Sequence, residues 1–274
     1  MNKDEQLDKL HALELEIAKE IRRICQTHHI PYFLTAGTLL GAVRHGGFIP
    51  WDDDMDIGML REDYERFLEA CRTDLGERFF LQTWDTEPDY PFSFAKIRLN
   101  ETHFREKFSE NVKMHDGIFV DIFPFDNVPD DRRAQKRQAR RYFVCKRLLW
   151  IKKGMGGNMR EGPLGQRIRY WCFWLFAHLL PNEGIKRYFK QTQVKFNGQE
   201  TQKVVTDGSY AYSKEAIDRG WVTHLEPIRF ETETFLSYRD REAYLTHFYG
   251  DYHKLPPEEK RNRHLLMDVD FGPY

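Results

Sequence analysis

"GGFIPWDDDMDIGM", residues 46–59, packs Asp52, Asp53, Asp54 and Asp56 among Phe48, Ile49, Trp51, Met55 and Ile57. Adjacent like charges repel, and apolar neighbours lower the local dielectric and strengthen every charge interaction there. Read as a strand, DMDIGM turns Asp54 and Asp56 to one face and Met55 and Ile57 to the other. The same alternation turns Asp53 away from that pair, so Asp53 should matter least. Residues two apart on a strand lie about 6.6–6.8 Å apart at Cα, so the two carboxylates can converge in front of a sheet. Carboxylates that close raise each other's pKa unless a cation holds them. Magnesium is bound by one or two carboxylates plus substrate phosphates. The pattern points to a divalent-metal site, Mg2+ or Mn2+, serving a phosphate-bearing substrate.

A third carboxylate should come from another strand. Asp121 stands alone in GIFVDIF, where its neighbours favour burial, and a buried charge needs a partner. Upstream, Gly37 and Thr38 open a short helix, TLLGAVRH, whose first N–H groups suit phosphate oxygens. Arg44 closes that helix, while Lys96 and Arg98 alternate on the strand FSFAKIRL. All three are candidates to neutralise phosphate. The plainer readings are an ordinary strand-to-helix turn, a solvated acidic loop, a hydrogen-bonded core aspartate and a salt-bridged basic face. An EF-hand loop starting at Asp52 fails, because Ile57 stands where its glycine belongs and Asp63 where its glutamate belongs.

Around this stretch, Leu7, Leu10, Leu13, Ile17, Ile21 and Ile24 recur at helical spacing, and Pro31 follows. YFLTA, RFFLQTW, FSFAKIRL and GIFVDIF read as strands, and REDYERFLEACRTDL as a helix. Helices and strands thus alternate and then give way to strands, which predicts an α/β (α+β) protein with a mixed sheet and flanking helices. Three parts are expected: a core over 1–130, a basic and aromatic helical region over 131–200, and a C-terminal part over 201–274 packing on the core.

The 274 residues carry a net charge of −1, which selects no polyanionic partner, and no nucleic-acid motif is present. The four cysteines are far apart, as expected of free thiols in a reducing compartment. A charged N-terminus without an apolar run, and an apolar maximum of only YWCFWLFAHLL, predict a cytoplasmic protein that does not cross a membrane. Ten Lys and Arg lie between Arg132 and Lys153, with Tyr142, Phe143 and Trp150 among them. Such a helix reads as a contact with an anionic membrane face, with the aromatic helix after it as a second contact. It reads equally as a solvated face, with the aromatic helix buried in the core.

The stretch TAGTLLGAVRHGGFIPWDDDMDIGM closely resembles the signature of the LicD family of phosphorylcholine transferases, which is related to the fukutin group. KIRLNETHF (96–104) and FYGDYHKLPPEEKRNRH (248–264) are also similar to LicD members. The resemblance implies a nucleotidyltransferase fold, with Gly37 and Thr38 as the turn. It implies Asp52, Asp54, Asp56 and Asp121 as the acidic metal ligands, the last three also catalytic, and Gly37, Thr38, Arg44, Lys96 and Arg98 on the substrate. The implied reaction moves phosphorylcholine from CDP-choline to a cell-surface glycan of teichoic acid or lipopolysaccharide type and releases CMP. Phosphoethanolamine, glycerol phosphate or a pentitol phosphate as cargo, a true nucleotidyltransferase, and a non-enzymatic metal-binding module are the alternatives. Choline would need an aromatic cage, for which Trp51, Trp84, Tyr90 and Trp150 are candidates.

Overall fold

The computed structural model describes residues 2–155, 160–261 and 266–274. The glycine-rich run 154–165 and the stretch 248–264, with its His264, therefore lie partly outside the described residues.

Helix α1 (Lys3–Thr27) buries one stripe, Leu10, Leu13, Glu14, Ile17, Ala18, Ile21, Ile24 and Cys25, and starts on an Asn2–Glu5 capping box. Strand β1 (Phe33–Leu34) leads into α2 (Ala36–Arg44), and β2 (Asp56–Leu60) leads into α3 (Arg61–Asp74). Strands β3 (Phe79–Gln82), β4 (Ala95–Leu99) and β5 (His103–Glu106) precede β6 (Phe119–Val128). Then follow α4 (Arg132–Lys152), α5 (Leu164–Leu179), α6 (Asn182–Val194), β7 (Lys203–Val205), α7 (Tyr212–Glu215), β8 (Ile217–Asp218) and α8 (Arg219–Thr223). The chain ends with the hairpin β9 (Leu225–Phe230) and β10 (Glu233–Tyr238), α9 (Arg241–Tyr249) and β11 (Leu266–Asp270).

The main sheet runs β1-β2-β6-β4-β3, with β7 added to β6 and β8 to β7. β2 and β6 are parallel, and the other neighbours are antiparallel. The sheet is therefore mixed, with helices packed against it, as the alternation of elements predicts. β6 is longer than its apolar core GIFVDIF suggests because it serves two partners along one edge. Residues 119–122 pair with β4, and 126–128 pair with β7. Pro124, which has no N–H to give, stands between the two. Gly58 is required where two rings cross the sheet, since a Cβ there would lie 2.2 Å from Phe33 and 2.8 Å from Phe125.

One apolar cluster extends from Leu10 to Phe271 and takes in α1, the sheet and β9–β10. A second joins α4, α5 and α6 to β6 and β7 through Tyr142, Leu149, Ala177, Ile185, Phe189 and Val205. In that region α5 is not a core helix. Its buried residues are Tyr170 and Ala177, while Leu164, Ile168, Trp171, Leu175 and Leu179 form a single stripe facing solvent. Among the described residues no helix is long and apolar enough to cross a membrane.

Candidate active site

The acidic stretch and the Gly-Thr turn meet at the start of β2. The Thr38 hydroxyl accepts the Asp56 N–H at 2.7 Å, and the Thr35 N–H donates to the Asp56 carbonyl at 3.2 Å. A Cβ on Gly37 would come within 2.8 Å of the Asp52 carboxylate, so glycine is what lets that carboxylate lie against the first turn of α2. Ala36 holds a left-handed φ of 47°, costly for a residue with a Cβ. Two tyrosines from the C-terminal part hold this turn. The Tyr244 hydroxyl accepts the Ala36 N–H at 3.0 Å, and the Thr35 hydroxyl bonds both Tyr238 and Tyr244.

Register lines up a row of polar side chains across the sheet. Asp56 on β2 faces Asp121 on β6, Asp121 faces Lys96 on β4, and Lys96 faces Gln82 on β3. The Lys96 ammonium donates to Asp121 Oδ1 at 2.5 Å and lies 3.3 Å from the centre of the Phe119 ring. Burial, and then Asp54, Asp121 and Asp52, push the Asp56 carboxyl well above the usual carboxylate range, while Lys96 pulls it down. Asp54, from the loop, and Asp121, from the neighbouring strand, thus both act on Asp56.

Asp53 corrects the simple alternation. The strand begins at Asp56, so residues 52–54 are not held to strand geometry. Carboxylate oxygens of Asp52, Asp53 and Asp54 all lie within 4.8 Å of one another. Asp53 therefore joins its neighbours instead of turning away.

The basic candidates are placed unequally. Lys96 lies in the acidic row. Arg98 is 1% exposed, donates to Gln82 Oε1 at 2.6 Å and to the Gly117 carbonyl at 2.5 Å, and burial lowers its pKa. Arg44 donates to the Tyr252 carbonyl at 2.9 Å and to His45 at 3.0 Å, with Asp52 among the charges it feels. Of the aromatic candidates, Trp84, Tyr90 and Trp150 pack in one cluster with Phe92, Phe94 and Met155, whereas Trp51 lies under the Arg261 guanidinium at 4.5 Å.

Two residues of α1 reach the acidic stretch without having been singled out by motif. His11 stacks on Phe48 and donates its Nε2–H to the Asp52 carbonyl at 2.7 Å. Glu14 is 1% exposed, and its Oε2 has no hydrogen-bond partner. Burial, and then Asp54, Asp53, Asp52 and Asp56, raise its carboxyl well above the usual range. Position 14 shows in the sequence as the acidic member of an otherwise apolar helical stripe.

Clustered carboxylate oxygens form a donor set suited to a hard divalent cation such as Mg2+ or Mn2+. Among the described residues it is Asp52, Asp53 and Asp54 whose oxygens gather in this way, and Asp56 and Asp121 stand next to them on β2 and β6 without joining that group.

Known proteins are similar to this chain over the same stretch of sequence. The family model for the LicD/FKTN/FKRP nucleotidyltransferase domain matches residues 29–148. Over 265 residues the chain is 28% identical to lipopolysaccharide cholinephosphotransferase LicD of Haemophilus influenzae, covering 93% of this chain and 94% of that protein. Ribitol 5-phosphate transferase FKRP of Homo sapiens is 32% identical over 114 residues, 40% of this chain and 20% of that protein. The uncharacterized protein RP689 of Rickettsia prowazekii is 46% identical over 66 residues, 22% of this chain and 25% of that protein. The matched segment, residues 29–148, is thus similar to the LicD/FKTN/FKRP nucleotidyltransferase domain.

Proposed function

We propose that this chain is a transferase moving a phospho-alcohol from a nucleotide-linked donor to a glycan, with phosphorylcholine from CDP-choline as the first donor to test. The observation that carries the reading is the meeting of Thr38 and Gly37 with the acidic stretch, since it brings the first turn of α2 against Asp52 and Asp56. An acceptor hydroxyl oxygen attacks the phosphorus that bears the choline. The bond from that phosphorus to the bridging oxygen breaks, and CMP leaves with the electron pair. The hydroxyl proton passes to a carboxylate, for which Asp121 is the candidate. Gly37 and Thr38 seat phosphate oxygens, and Lys96 adds positive charge beside Asp121. A divalent ion held by the carboxylates would neutralise charge on the diphosphate.

Thermal shift and CMP release with CDP-choline, CDP-ethanolamine, CDP-glycerol and CDP-ribitol, each with magnesium, test this reading. Stabilisation by one of them, with CMP released once a glycan acceptor is added, is expected. Pyrophosphate released from CTP instead would make the protein a nucleotidyltransferase.

A cytoplasmic place at the inner face of an anionic membrane belongs to the same reading, because glycan acceptors carried on lipid sit there. The observation favouring it is the exposed α5 stripe, with Leu164 71% and Leu179 69% exposed. Neither α4 nor α5 contains an acidic residue, and both carry arginines. The apolar contact shifts from the basic helix to the aromatic one.

A further inference from the structure

Every other residue in the buried stripe of α1 is apolar. A carboxyl enclosed there with an oxygen left unpartnered destabilises the fold, by the ordinary cost of burying polar groups. A leucine or alanine would pack the stripe without that cost. Glu14 therefore has to be explained by its surroundings: after burial itself, the charges acting on it are those of Asp54, Asp53, Asp52 and Asp56, while its Oε2 is left without a partner. The same helix holds the backbone of that stretch through His11, three residues earlier and on the same side. α1 lies before residue 29, outside the segment that matches the family domain.

We propose that Glu14 is part of the cation-binding centre: α1 brings a further carboxylate to the Asp52–Asp56 cluster, and a divalent cation bound there draws on it. This rests on the metal reading given above and extends it to an element outside the matched domain. The first helix then does two things at the site. His11 fixes the path of the loop, and Glu14 adds negative charge and an oxygen behind it. Binding a cation should consequently tighten α1 against the sheet.

The test is Mn2+ binding to the full-length protein, followed by electron paramagnetic resonance and by isothermal titration, with thermal unfolding measured in chelator and in Mn2+. Glu14→Gln keeps the size and removes the charge. It should weaken Mn2+ binding by about tenfold or more, in the range seen when groups supporting a metal site are removed. In chelator it should unfold at the same temperature as the wild type or higher, and in Mn2+ it should gain less. Glu16→Gln, which removes an exposed charge paired with Lys19 on the same helix, controls for net charge and should bind Mn2+ as the wild type does. Glu14→Asp should recover part of the affinity. If the wild type binds Mn2+ and Glu14→Gln binds it equally well, the assignment of Glu14 is overturned and the metal reading stands. If the wild type binds no divalent cation, both are overturned.

Discussion

Asp121 and Asp126 share strand β6 and are both buried, yet their surroundings differ in kind. Asp126 is 0% exposed and met by a matched fork: Arg61 Nε donates to Oδ1 at 2.9 Å and Nη2 to Oδ2 at 2.7 Å, and Asn197 adds a bond of 2.8 Å. Such a pair satisfies itself and joins α3 to the sheet. Asp121 meets Lys96 on one side and faces another acid, Asp56, on the other. The difference separates two uses of a buried carboxylate. The arrangement at Asp126 is closed, and the one at Asp121 sets two acids beside a single lysine.

The sharpest way to break this contrast is to replace each aspartate by asparagine. Asp126→Asn leaves the buried Arg61 guanidinium with only the partly exposed Glu65 carboxylate at 3.3 Å as counter-charge, and should lower stability by about 3–5 kcal/mol. Asp54→Asn and Asp56→Asn should instead leave stability unchanged or raised. Asp121→Asn should lower it by less than Asp126→Asn, because the buried Lys96 keeps Asp56 and the Phe119 ring beside it. All three should reduce turnover by about 10²–10³-fold, the size typical of losing one electrostatic contact to a transition state. Urea unfolding and CMP release on the same preparations separate the outcomes. An Asp121→Asn protein that unfolds as early as Asp126→Asn while turning over normally would make the two sites alike.

A third buried acid sharpens the comparison through pH. Glu215, at the end of α7, is pushed up to about 7 by burial, against the Tyr210 N–H and Lys146, which pull it down. Between about 4.5 and about 7 the folded state keeps this proton while the unfolded chain has released it. Stability from this group is thus full below about 4.5 and is lost as pH rises through about 7. At about 1.36 kcal/mol per unit the loss is on the order of 3 kcal/mol. Denaturant midpoints from pH 4 to 8 should fall less steeply for Glu215→Gln than for the wild type. Parallel curves would show that the group titrates as it does in the unfolded chain.

Lys96 and Arg98, neighbours on one face of β4, extend the contrast to cations. Lys96→Ala should weaken a non-reacting donor analogue by about 1.5–3 kcal/mol, the usual worth of a charge-assisted bond. Arg98→Ala should leave that affinity alone and lower stability, because Arg98 serves Gln82 and the Gly117 carbonyl. Titration calorimetry beside thermal unfolding decides. Equal losses of affinity would return Arg98 to the donor site.

How far these assignments were legible follows from what each depends on. Alternation and turn residues expose strands with one apolar face, so β2, β4 and the first half of β6 could be read directly, and with them Asp56, Asp121 and Lys96 as a set. Asp53 misled because alternation holds only inside a strand, and the strand starts at Asp56. The second half of β6 was hidden because its partner β7 lies far along the chain. α9 was missed because its apolar residues do not gather on one face as those of α1 do. Glu14 was visible as an acid at a stripe position, but nothing local says that other acids act on it; that is a tertiary fact. The exposure of α5 is of the same kind, since an aromatic helix has the same sequence whether its apolar stripe is covered or open.

The smallest effects, residue by residue, belong to that open stripe. Leu164, Ile168, Trp171, Leu175 and Leu179 fall at steps of four, three, four and four residues, so they share one side of α5, and Phe143 of α4 packs edge-on against Phe173 with Arg147 over its ring. A stripe of this kind inserts among lipid headgroups, while each nearby basic side chain adds on the order of 1 kcal/mol at an anionic surface. The two contributions respond differently to salt. Screening shortens from about 10 Å at 0.1 M to about 3 Å at 1 M, so the charge part fades and the apolar part persists. Co-sedimentation with phosphatidylserine-containing vesicles should therefore decline with salt without vanishing. Trp171→Ser with Leu175→Ser should abolish the salt-resistant fraction, and Arg140→Gln with Arg147→Gln the salt-sensitive one. Both pairs should leave CMP release with a small soluble acceptor unchanged, since α5 and the start of β2 belong to separate apolar clusters. Binding that salt removes completely would assign attachment to the basic helix alone, and no binding at low salt would leave the stripe to some other partner.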